Sequence, residues 1–162
     1  MSDAKRVVTV SSILMIIAGI LLIIVGMFLW ITMGVNEAAY HQEIMGNAAI
    51  SQAIVDYYAG ITGIAYIGAM VIIANGILDI VVAIFGFRAA GNAAKAGTFV
   101  ALAGVAFIFS ALDLGFIMIN MFSSNVGIDW TTWVPALCGV VFTAVALWGG
   151  LKIKSDYQLG TK

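Results

Sequence analysis

Charge is what this sequence has least of. Of 162 residues, seven are Lys or Arg and eight are Asp or Glu, 9% in all. A solvated exterior needs about 25–35% charged residues, so most of this chain's surface must face something other than water. Seven bases against a net charge of −1 exclude a phosphate-neutralising surface, and no nucleic-acid partner is expected. The single cysteine, Cys138, can neither close an internal disulfide nor build a Cys-based zinc site. The single histidine, His41, excludes a His-rich metal constellation, so neither metal nor cofactor is expected. The patterns GxxxxGK[ST], GxSxG and HExxH are also missing, and nothing points to an enzyme.

Apolar residues are present in abundance, at 63%, with a mean hydropathy of +1.11. They gather into four runs, 7–33, 61–87, 97–122 and 133–151. Each is long enough to cross a hydrocarbon core of about 30 Å as a helix at about 1.5 Å per residue. The first run follows Lys5 and Arg6 but far exceeds the apolar stretch of a signal peptide, and it reads as an uncleaved helix. These runs predict a single all-α transmembrane domain over 1–162, an antiparallel four-helix bundle with an outer loop at 34–60.

The bases fix an expected orientation. Lys5 and Arg6 precede the first helix, Arg88 and Lys95 lie between the second and third, and Lys152, Lys154 and Lys162 follow the fourth. The positive-inside rule therefore predicts a multi-pass plasma-membrane protein with both termini cytoplasmic. Glu37, Glu43, Asp56 and Asp129 fall in the outer connections, and Trp30, Trp130 and Trp133 supply an outer aromatic belt. Pro135 is placed in the first turn of the fourth helix. The outer segment 34–60 is Ala-rich and proline-free, compatible with one or two short interfacial helices or with a simple cap on the bundle.

Small residues recur at heptad-like spacing in every run: Ser12, Gly19 and Gly26 in the first; Gly68, Ala83 and Gly86 in the second; Ala103 and Ala106 in the third; Gly139, Thr143, Ala146 and Gly150 in the fourth. Lipid gives helices no hydrophobic reason to associate, so close approach over small residues has to supply the contact. Gly19, Gly26, Gly68, Gly139, Thr143 and Gly150 are the expected helix-packing positions. A spacing near 3.5 predicts left-handed crossings of about +20°.

Two acids fall inside the apolar runs. Asp79 and Asp113 each cost on the order of 3 kcal/mol at a helix centre, and no Lys or Arg lies within a run to pair with either. Asn75 precedes Asp79 by one turn, while Ser110 and Asn120 share the polar stripe of Asp113. Counted from the helix ends, each carboxylate lies about 13 Å from a boundary, which places the two within several ångströms of one depth. Facing each other, they would share a proton or hold a cation; the other reading is that both are neutral and bond neighbouring polar groups.

The ends of the second and fourth runs look alike, VAIFGFR at 82–88 against VALWGGLK at 145–152, which suggests a duplicated hairpin. Through the segment GFRAAG at 86–91, read as a turn between the middle helices, the chain resembles small bacterial four-helix (tetraspan-like) membrane proteins of unknown function. That resemblance implies an architecture and no activity. Claudins and tetraspanins share the plan, but their signature cysteines and GLW-type motif are absent here. The expected role is that of an interaction, accessory or scaffold subunit, contacting membrane lipids and another membrane protein or a second copy of itself through the outer loop and the small-residue seams. The alternative is a small proton- or ion-coupled transporter or channel using Asp79 and Asp113.

Overall fold

A computed structural model describes the backbone of residues 3–45, 52–124 and 130–160, and the side chains of 3–35, 66–115, 118, 119 and 133–160. The described backbone is all-α: α1 Asp3–Met45, α2 Gln52–Gly91, a short 3-10 turn Ala93–Lys95, α3 Ala96–Ser124 and α4 Trp130–Gly160. All four are long and apolar enough to cross a membrane, the candidate spans being Asp3–Val35, Tyr66–Gly91, Ala93–Gly115 and Trp133–Gly160.

The helices run past the apolar stretches because nothing in the sequence stops them there. Residues 34–45 contain Ala, Glu and Gln, which are good helix formers, and α1 carries on through them for 43 residues, about 65 Å. The polar segment expected as a loop is thus helical over 34–45 and 52–60; residues 46–51, and the side chains of 36–60 including His41, lie outside the described residues.

Two further expectations change. GFRAAG is not a turn: α2 remains helical through Gly91, and the reversal falls at Asn92. Asn92 has extended backbone angles and caps the following 3-10 turn, its side-chain oxygen accepting from the Ala94 N–H at 3.1 Å. Its own N–H closes the end of α2 on the Arg88 carbonyl at 2.9 Å. α4 begins at Trp130, so Pro135 stands in the second turn and offers no N–H to the Thr131 carbonyl four residues back.

The chain divides into two compact units, and α1 and α2 contribute to both. The second, Leu21–Gly76, is an antiparallel pairing of α1 and α2. Gly26 lies against Ile73 and Ala69, Gly34 against Tyr66, and Trp30 meets the Tyr66 ring edge-on at 5.1 Å. As residue numbers rise along α1 they fall along α2.

The first unit, Met1–Ile20 with Ile77–Lys162, packs segments of all four helices into a bundle. Its core is mostly alanine, with Val8, Met15, Val82 and Phe99 as its large, fully buried side chains. Gly86 of α2 takes Ser12 of α1 and Phe99 of α3, Gly149 of α4 takes Val7 and Val8 of α1, and Gly150 takes Phe99. Eleven residues further along α3, Ser110 faces Gly139 of α4, so α3 and α4 are antiparallel. The start of α1, the end of α2, the start of α3 and the later part of α4 therefore meet in one layer.

Candidate functional site

Asp79 and Asp113 both belong to the first unit. On a helix turning 100° per residue, Asp79 shares its side of α2 with the buried Ala83 and Gly86. Asp113 stands on α3 at the edge of the side that buries Ala103 and Ala106, with Ser110 one turn before it. Asn75, Asp79, Ser110 and Asp113 are all half-buried. The side chain of Asn120 lies outside the described residues.

Helix register decides whether the two carboxylates can act together. Gly86 is level with Phe99. Asp79 precedes Gly86 by seven residues and Asp113 follows Phe99 by fourteen, on antiparallel helices. The two therefore differ in depth by about 10 Å along the helix axes. This exceeds the several ångströms counted from the ends of the apolar runs, because a side-chain contact near the α2–α3 reversal sets the register and not the midpoints of the helices. A proton shared directly needs oxygens within about 3 Å, which this register does not provide.

The same register brings Asp79 level with Ala106 of α3 and Thr143 of α4. Thr143 is buried, and its hydroxyl donates within its own helix, with Oγ1 at 2.7 Å from the Gly139 carbonyl and 3.1 Å from that of Val140. It spends its proton on the backbone and not on a neighbouring helix. Among the described residues, every Lys and Arg lies at the layered end of the first unit or beyond it, so none reaches Asp79 or Asp113. Among the described residues, no three His, Cys, Asp or Glu side chains gather as a metal would require. Among the described residues, Asp79 thus stands on a small-residue wall with no second acid and no base at its own depth.

The expected packing glycines have different surroundings. A Cβ on Gly26 would stand 2.6 Å from Ile73 Cγ1, and one on Gly150 would stand 2.7 Å from the Phe99 ring. Gly19 is buried, and Gly139 keeps an ordinary 3.6 Å from Ser110 Oγ. Gly68 differs: among the described residues nothing lies within 4 Å of its Cβ position, and the buried α2 residue at that point is its neighbour Ala69. Gly149, absent from the expected set, has Val8 Cγ2 at 2.8 Å; the Gly-Gly pair of VALWGGLK was the signal for it.

Ser12 is the one buried polar atom without a hydrogen-bond partner among the described residues; its hydroxyl is pressed against Gly86. Ser11, by contrast, donates to the Val8 carbonyl at 3.1 Å. The chain matches no known protein family, no curated protein and no solved structure.

Proposed function

We propose that this multi-pass membrane protein is an accessory or scaffold subunit of the plasma membrane, with both termini cytoplasmic, that binds other transmembrane helices or a second copy of itself. No catalytic role is proposed. The observation that carries the reading is the side of α3 turned away from the bundle. Ala96, Phe99, Ala103 and Ala106 are buried, while Gly97, Gly104 and Gly115, on the opposite side, have nothing within 4 Å of their Cβ positions among the described residues. Ala101 and Ala111 are exposed on that same side. Lipid rewards close backbone approach and little else, so an outward row of Gly and Ala favours a second helix over lipid chains. The acidic segment 34–60 offers a further surface outside the hydrocarbon. The orientation rests on the bases, since the six in described helices and turns lie at the layered end of the first unit.

The test is the size of the protein in native membranes and in mild detergent. Wild type is expected to run as an oligomer or with a partner, and a Gly97→Val/Gly104→Val variant as a single chain with unchanged thermal unfolding. A wild type that is strictly monomeric in both settings overturns the reading.

One observation favours a second reading, that of a small proton- or ion-coupled transporter: Asp79 lies on the buried side of α2 without a base beside it among the described residues. Its signature is a pH- or cation-dependent flux in liposomes that falls in Asp79→Asn. Because the register separates the acids, Asp113→Asn is expected to fall less. No ion dependence in wild type removes this reading.

A further inference from the structure

The resemblance between the ends of α2 and α4 has a structural counterpart that the association reading does not use. In each, an aromatic residue precedes a buried glycine, and a basic residue follows. In each, the basic side chain bends back along its helix over that aromatic ring. The Arg88 guanidinium carbon lies 5.3 Å from the centre of the Phe85 ring, and Lys152 Nζ lies 5.7 Å from the Trp148 ring. Arg88 and Lys152 are exposed, Trp148 is 56% exposed, and neither cation forms an ion pair among the described residues.

Bending back has a chemical consequence. A Lys or Arg at the end of a span usually extends into water. Here the ring holds the charge back at the end of an apolar run, in the last turn of α2 for Arg88 and beside Trp148, a residue type that favours the headgroup boundary, for Lys152. A guanidinium or ammonium stacked by one face keeps its remaining N–H groups free for an anion. The anion present at that depth is the phosphodiester of a lipid. We propose that Arg88 with Phe85, and Lys152 with Trp148, are two separate binding positions for the headgroup of an anionic phospholipid, one at the end of α2 and one on α4. The zwitterionic headgroup of phosphatidylcholine fits less well because its ammonium group would face the cation. Lys95 and Lys154 sit at the same end with no ring beneath them among the described residues, and serve as the internal control.

Native mass spectrometry of the full chain, released from micelles doped with phosphatidylglycerol or phosphatidylcholine, tests this. Wild type is expected to retain two phosphatidylglycerol molecules and to prefer them over phosphatidylcholine. Arg88→Gln and Lys152→Gln should each lose one, with affinity at that position falling about tenfold, the worth of a charge-assisted hydrogen bond. The Arg88→Gln/Lys152→Gln pair should retain neither, whereas Lys95→Gln/Lys154→Gln, which removes the same charge, should retain both. Equal losses in the two double variants would assign the effect to diffuse surface charge and overturn the proposal. Equal retention of the two lipids would overturn it as well, and so would displacement of phosphatidylglycerol by millimolar inorganic phosphate. Thermal unfolding in the same detergent, expected to be unchanged in all four variants, separates lost binding from lost folding.

Discussion

Two groups of glycines in the first unit stand in opposite surroundings. Gly86, Gly149 and Gly150 are buried, and an added Cβ at each would run into Ser12, Val8 or Phe99. Gly97, Gly104 and Gly115 meet nothing within 4 Å among the described residues. The residue type is the same, and the job follows from which side of the helix it occupies. Inside, the missing side chain is filled by a neighbour's atoms. Outside, it leaves a shallow groove in a helix that is otherwise lined by exposed Val105, Ile108 and Leu112. Composition alone would score the two groups alike.

The sharpest way to break this contrast is Gly150→Val. Its added atoms would enter the ring of Phe99, which is 0% exposed and has nowhere to retreat. A loss of about 3 kcal/mol is expected, read as a large fall in the thermal midpoint or as aggregation in detergent. An unchanged midpoint would show that the layer is loose.

A smaller effect is expected for Gly86→Ala, about 2 kcal/mol, because a methyl group there meets the Ser12 hydroxyl and also stands 3.1 Å from the Phe99 ring. Adding Ser12→Gly should recover most of it. A double-mutant cycle without coupling of at least about 1 kcal/mol would mean the two residues do not touch. Ser12→Ala alone should stabilise by about 1 kcal/mol, since it removes a buried hydroxyl that has no partner among the described residues. Destabilisation would reveal a hydrogen bond at that site. The smallest change belongs to Gly104→Ala, within about 0.5 kcal/mol, because its Cβ enters open space. A cost comparable to that of Gly86→Ala would erase the distinction.

The four spans were legible from apolar runs, since only helices of that length and hydropathy satisfy every backbone group in lipid. The sides of the helices were legible in part. Ser12, Ala103, Ala106, Thr143 and Ala146 repeat at helical spacing and all are buried. Helix ends were not legible, because α1 and α2 continue through Ala, Glu and Gln that are polar enough to resemble a loop and helical enough to avoid being one. The depth of Asp79 relative to Asp113 was not legible either. It depends on Phe99 meeting Gly86, a contact between residues whose separation in sequence carries no periodic signal. Gly68 shows the limit of periodicity: it keeps the spacing of its stripe, yet the adjacent Ala69 is the residue that is buried.

Phe99 touches both Gly86 and Gly150, and so joins α2 to α4 through one rigid ring carried on α3. Aromatic rings do not compress, and neither glycine has a side chain that could yield. A twist of α3 about its own axis would therefore have to displace both partner helices together. At that layer a change in the size of the Phe99 side chain is therefore felt by three helices at once.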